Sequence, residues 1–177
     1  MCIRDRDKTE TKKMVTTIPR SSVLGFIIGV LPGAGSTIAS FLAYGMERNF
    51  VNDEEKQKFG KGSVNGLAAP ETANNAACSG SFVPLLTLGI PGSGTTAVML
   101  GALLGFGIQP GPRLYQTNPE IFWSVIMSMY FGMVILLILN LPLIPYIARV
   151  LATPRTFLIP LILFFSVTGI YLSLIHI

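Results

Sequence analysis

Apolar residues come in long blocks along this chain, and two of those blocks are cut in the middle by proline and glycine rather than by charge. Residues 7–20 are polar, with Lys8, Lys12, Lys13 and Arg20 outnumbering Asp7 and Glu10, and they give way abruptly to Val23-Leu24-Gly25-Phe26-Ile27-Ile28-Gly29-Val30-Leu31. Such a boundary reads as a membrane surface. The apolar stretch continues to Tyr44, but Pro32-Gly33-Ala34-Gly35 interrupts it. Proline lacks an N–H and glycine accepts non-helical dihedrals, so two half-helices are expected there. Residues 47–61 read as a charged loop, and residues 63–80 as a small-residue segment too polar to face lipid. Residues 82–108 are apolar and cut again, by Gly89-Ile90-Pro91-Gly92-Ser93-Gly94-Thr95-Thr96. After a turn at Gln109-Pro110-Gly111-Pro112-Arg113, residues 121–148 exceed the roughly 20 apolar residues that a spanning helix needs. A kink is expected near Asn140 and Pro142, and residues 157–171 begin a further span. The pattern predicts an all-α, polytopic helical membrane protein with Pro-Gly-broken helices.

Basic residues near apolar segments prefer the cytoplasmic side. Arg149 and Arg155 place the link between the last two segments there, and Arg48, Lys56, Lys58 and Lys61 place the earlier polar segment on the same side. A single crossing by residues 82–108 reconciles the two. The basic residues before Ser21 favour the cytoplasm as well, which makes residues 22–44 a re-entrant hairpin; a full crossing is the alternative.

Composition supports a lipid solvent, since half the residues are apolar and only 12% are charged. The net charge of +4 flanks apolar runs, so it reads as an orientation signal facing anionic membrane lipid, not as a nucleic-acid patch. The two ends stand apart. Residues 1–5 and 172–177 can be encoded by overlapping reverse complements that match a transposon end used to tag DNA, so residues 1–6 and 172–177 are expected to be non-native, leaving 7–171 as a partial transmembrane domain. That sets aside Cys2 and His176 and leaves Cys78 a lone thiol, expected to be a small buried packing residue. Disulfide and histidine chemistry drop out.

The candidate chemistry lies in a repeat. Leu31-Pro32-Gly33-Ala34-Gly35-Ser36-Thr37 and Ile90-Pro91-Gly92-Ser93-Gly94-Thr95-Thr96 share the order apolar, Pro, Gly, small, Gly, hydroxyl, Thr. Within a bilayer, unwound backbone is tolerated only where protein or water satisfies it, and paired broken helices point to a transporter binding site. Gly33, Gly35, Ser36, Thr37, Gly92, Gly94, Thr95 and Thr96 would offer N–H groups and hydroxyls to an anion at two helix starts. Unwound carbonyls near Pro32 and Pro91 would suit Na⁺. The two turns are expected close together at membrane depth, with half-helices beginning near Ser36 and Thr95. The competing reading is close packing, as the four-residue spacing of Gly25/Gly29 and Gly101/Gly105 suggests. A phosphate-binding loop is a poorer reading, because neither motif has the Lys that such loops place before Ser or Thr.

Glu71, Asn74 and Asn75 form a second constellation, with Pro70 read as part of a first helical turn. Glu71 and Asn74 are candidates for ion coupling, and Asn74 and Asn75 for substrate, in polar surroundings. The competing reading is a helix N-terminus at the interface with amides joining helices. Trp123 and Tyr130 read as interface or packing aromatics.

Three stretches carry a resemblance: residues 29–44, including the first motif; Ala69-Pro70-Glu71-Thr72-Ala73-Asn74-Asn75-Ala76; and Val83-Pro84-Leu85-Leu86-Thr87-Leu88-Gly89-Ile90-Pro91-Gly92-Ser93-Gly94, continuing to Gln109-Pro110-Gly111-Pro112. Here the chain resembles an interior portion of the large permease subunit of the tripartite tricarboxylate transporter family. The resemblance implies a multi-pass protein of the bacterial inner membrane that imports di- or tricarboxylates on an Na⁺ or H⁺ gradient. It also implies a periplasmic solute-binding protein and a small membrane subunit as partners, and no cofactor beyond the coupling ion. Two other classes remain as alternatives. An intramembrane hydrolase would use Ser93, but outside the ends there is no His, there is no Lys after Lys61, and Glu71 is the one conceivable base. An anion channel would line a permanent pore with the paired breaks.

Overall fold

A computed structural model describes residues 8–151 and 154–175. Of the ends expected to be non-native, residues 1–6, 176 and 177 lie outside the described residues, while residues 172–175 continue the last helix. Every regular element among the described residues is helical: α1 Lys8–Val30, α2 Gly35–Phe50, α3 Asp53–Lys56, α4 Val64–Gly80, α5 Phe82–Leu88, α6 Gly94–Gly105, α7 Leu114–Thr117, α8 Pro119–Leu151 and α9 Arg155–Ile175. Contacts divide the chain into two units that meet within α8, one up to Ile126 and one from Met127 onward.

The first unit is built on α1, α2 and α4, and small residues set its geometry. Ala39 and Ala43 of α2 and Ala69, Ala73 and Ala77 of α4 are all buried, at four-residue steps that keep each set on one helix face. A methyl group on Gly25 would stand 2.3 Å from the Ala73 carbonyl oxygen, and one on Gly29 2.2 Å from that of Ala77. The backbones of α1 and α4 therefore touch, as glycine and alanine stripes allow where dispersion must replace the hydrophobic drive between helices. This is the close packing that the Gly25/Gly29 spacing suggested; Gly101 and Gly105 have no neighbour at that range. Thr17 and Asn65 are hydrogen-bonded at a sequence separation of 48, the same offset that relates Gly25 to Ala73 and Gly29 to Ala77, so α1 and α4 run parallel. α2 runs back against both: Ser40 Oγ bonds the Pro70 carbonyl near its middle, and Glu47 reaches Arg20 and Asn65 near its end.

Several boundaries differ from the sequence expectation. Residues 47–61 are not simply a loop, because Glu47 and Arg48 lie in the last turns of α2 and Asp53–Lys56 forms α3. Tyr44 holds that segment through an edge-on contact with Phe59, 5.2 Å between ring centres. Pro70 is not in a first turn. α4 starts at Val64, where Ser63 Oγ accepts the Gly66 N–H at 3.1 Å, and Pro70 is carried in the helix interior. Cys78 is exposed rather than buried, since it lies on the α4 face away from Ala73 and Ala77.

Residues 82–108 do not form one straight crossing. α5 has 7 residues and α6 has 12, or about 10 and about 18 Å at the helical rise, against a hydrocarbon core of about 30 Å. After α6 the chain returns, so that the Gly111 N–H bonds the Leu86 carbonyl at 3.2 Å and Gly89 abuts the Pro110 carbonyl.

In the second unit, α8 continues through Pro142 and Pro145, and α9 through Pro160. Residues 119–147 are long and apolar enough to cross a membrane, and residues 156–172 form a shorter apolar helix. Their side chains point outward, with Leu136, Leu139, Phe164 and Phe165 each more than half exposed, as expected of surfaces whose solvent is lipid or further protein.

Candidate functional site

Both Pro-Gly motifs are non-helical, as their chemistry requires. α1 ends at Val30, and the turn that follows is closed by Leu31 N–H to Ile28 and Ala34 N–H to Leu31. Gly33 and Gly35 take φ of +82° and +69°, the left-handed region that costs an L-residue about 1–2 kcal/mol. α2 then begins at Gly35 with Ala34 as its cap residue, and no side chain caps it. The leading N–H groups of a helix have no partner within the helix, so this start keeps donors available.

The second motif is built differently at one atom. Where the first has Ala34, the second has Ser93, whose Oγ accepts the Thr96 N–H at 3.3 Å while Thr96 Oγ1 accepts the Ser93 N–H at 2.8 Å. This reciprocal cap satisfies the start of α6 internally. Thr96 is buried with its hydroxyl committed, so it is not the free donor that the sequence repeat suggested. Ser93 Oγ is likewise a cap, with no ionisable group bonded to it.

The breaks lie at one end of the first unit. Gly92 is buried, and a methyl group there would stand 3.1 Å from Ser81 Cβ and 3.5 Å from the Gly29 carbonyl, in the last turn of α1 before Pro32. Gly33, Gly35 and Gly94 face open space, Thr37 and Thr95 are exposed, and Ser36 is half-buried. The contact between the two motifs is therefore that of Gly92 with Gly29, in the last turn of α1 just before the first break.

α4 presents its remaining candidates on its outer face. Glu71 and Asn75 are exposed and Asn74 is half-buried. Asn75 Nδ2 donates to the Glu71 carbonyl at 2.8 Å rather than to its carboxylate, and Asn74 Oδ1 faces the Cys78 thiol at 3.8 Å. The Glu71 carboxylate meets no side-chain partner among the described residues, so the enclosed setting expected for it is not supplied by this segment.

The sequence model of the tripartite tricarboxylate transporter TctA family matches residues 3–175. The chain belongs to that family. It is 43% identical over 164 residues to an uncharacterised 52.8 kDa protein in the TAR-I ttuC' 3' region of Agrobacterium vitis, covering 93% of this chain and 32% of that relative. It is 45% identical over 147 residues to an uncharacterised protein in the TAR-II ttuC' 3' region of the same organism, covering 83% of this chain and 60% of the relative. The TctA-family chain thus spans under two thirds of either curated relative. No solved structure matches it.

The structure of this TctA-family chain also holds a cluster of charged residues that the sequence reading missed. At the end of the first unit opposite the breaks, Glu47 is fully buried. Arg20 Nη2 donates to its two oxygens at 2.8 and 2.9 Å, Thr17 Oγ1 donates at 2.8 Å and Asn65 Nδ2 at 3.2 Å. The Phe50 ring covers the Arg20 guanidinium at 4.7 Å, a favourable cation–π placement. Nearby, Glu55 accepts from Lys13 Nζ at 2.7 Å and Ser63 Oγ at 3.1 Å. The Lys13 hydrogen bond holds the Glu55 carboxyl below the usual carboxylate range, with burial opposing and Ser63 assisting. The available signal was spacing: Lys13, Thr17 and Arg20 fall on one helical face if α1 begins before the apolar block.

Proposed function

We propose that this TctA-family chain carries part of the substrate site of a secondary active importer of di- or tricarboxylates in the bacterial inner membrane. A periplasmic solute-binding protein and a small membrane subunit would serve it, and an Na⁺ or H⁺ gradient would drive it. The observation that carries this reading is the contact of the second break, at Gly92, with the last turn of α1 just before the first break, whose following helix start is uncapped. Carboxylate oxygens suit the free N–H groups of α2 and the hydroxyls of Ser36, Thr37 and Thr95. No Arg or Lys lies in either motif, so backbone dipoles supply the positive potential and a coupling cation at the carbonyls near Pro32 and Pro91 offsets substrate charge.

Depth supports the same reading. From Arg20 to Val30 α1 rises about 15 Å, and from Gly35 to Glu47 α2 descends about 18 Å. With the charged base at the cytoplasmic surface, the hairpin tip lies about halfway through a 30 Å core. α1 and α2 then form the re-entrant hairpin, and the breaks meet near the midplane where transporter sites sit. The outer face of α4 cannot face lipid while Glu71 is charged. In the longer parent protein it lines the aqueous path, where Glu71 and Asn74 handle the coupling ion and Asn75 contacts substrate.

The experiment is uptake by the full-length parent in vesicles, with labelled citrate and other carboxylates, imposed Na⁺ or proton gradients, and binding protein present or omitted. Saturable uptake that needs both gradient and binding protein is expected. Non-saturable flux that follows the carboxylate gradient alone would favour a channel instead.

A further inference from the structure

A buried ion pair is expensive to desolvate, and an acid near a helix C-terminus also opposes the helix dipole. Glu47 carries both burdens, fully buried in the last turn of α2. Its network is not even fully satisfied, since Arg20 Nε and Asn65 Oδ1 are buried without a protein partner. Stability alone is a poor reason for such an arrangement; the specification of one alignment is a better one.

The packing around it needs such a specification. Along the contact of α1 with α4, Gly25 faces Ala73 and Gly29 faces Ala77. The series continues at the same four-residue step on both helices, through Ser21 and Thr17 on one and Ala69 and Asn65 on the other. Slip the helices by one turn, and Gly25 meets Ala69 while Gly29 meets Ala73, an interface of the same chemistry. Dispersion between small residues has no direction that forbids it. A one-turn slip is a known mode of helix movement, about 5 Å long. The polar base does not survive it, because Thr17 leaves Asn65 and Arg20 and Thr17 can no longer meet Glu47 and Asn65 together.

We propose that Glu47, with Arg20, Thr17 and Asn65, is a register lock that sets the height of the α1–α2 break against α4 and the Gly92 break. Glu47 is then a positioning residue for transport, acting through the distant hairpin tip. Lys13 and Glu55 add a second tie at the same base. The link to transport rests on the breaks being the substrate site, whereas the register itself is measured separately.

The test uses the full-length parent in lipid vesicles, with spin labels at Val23 of α1 and Leu67 of α4, both exposed, and other cysteines replaced. The parent gives one distance. Glu47→Gln is expected to add a second population displaced by up to about 5 Å, the axial rise of one helical turn, with uptake reduced several-fold. Arg20→Gln behaves in the same way, whereas Arg20→Lys keeps one distance. Thr17→Val removes the hydroxyl that donates to Glu47 and accepts from Asn65 while leaving the Arg20–Glu47 pair in place; it broadens the distribution, so it decides the matter if Glu47→Gln fails to insert. A single unchanged distance in every inserted variant overturns the lock, whatever happens to uptake. Altered distances with normal uptake would keep the lock and remove its role in transport.

Discussion

Gly29→Ala is expected to destabilise the full-length parent by about 3 kcal/mol, at the upper end of the usual cost of overpacking. The added methyl would stand 2.2 Å from the Ala77 carbonyl oxygen and 2.6 Å from its Cα. Both obstacles are backbone, so no rotamer change relieves the clash, and α1 must separate from α4 along its whole stripe. Thermal unfolding of the purified protein in detergent measures the effect. Gly101→Ala and Gly45→Ala are the comparison, because a methyl at either meets nothing within 4 Å. These should be neutral, or more stable by up to about 1 kcal/mol from helix propensity. Equal losses at Gly29 and Gly101 would mean that the α1–α4 contact does not hold the unit together.

Gly35→Ala should abolish uptake while leaving insertion and expression near normal. Its methyl meets no neighbour, so packing is undisturbed, but φ of +69° disfavours every L-residue and the start of α2 must rearrange. Gly94→Ala should retain most uptake, since Gly94 lies in helical backbone, has no positive φ and also faces open space. The sequence repeat treats these two glycines as equivalents; their dihedrals separate them. Uptake assays on both variants, normalised to membrane content, check this. Full transport by Gly35→Ala would leave the first break without a functional role.

What sequence alone could read follows from where the information is local. A proline followed by two glycines dictates an interruption whatever surrounds it, so both breaks were legible, and the uninterrupted apolar run gave α8. The helix state of Glu47 was not. Charge density suggested a loop, and only contacts with Thr17, Arg20 and Asn65 from elsewhere in the chain explain a buried acid there. Pro70 misled for a related reason: proline favours first turns, but the cap is Ser63, seven residues earlier, and its partner Gly66 carries no capping-box signature. Thr96 shows how one substitution redirects a motif. Serine in place of alanine at the cap position turns a free hydroxyl into an internal bond. The exposure of Glu71 follows from the four-residue stripe of alanines, which fixes the inner face of α4 and turns Glu71, Asn75 and Cys78 outward.

The central claim is that a carboxylate binds where the two breaks adjoin. Single cysteines replacing Thr37 or Thr95, both exposed, place a reactive thiol beside each break in the full-length parent. The rate of reaction with a water-soluble maleimide is then measured with and without citrate or another transported carboxylate. The account predicts reaction at both positions from water, slowed several-fold by transported carboxylates and left unchanged by neutral analogues of similar size. Rates that ignore the carboxylate in a protein still competent for uptake, or thiols reached only by lipid-soluble reagents, would contradict it.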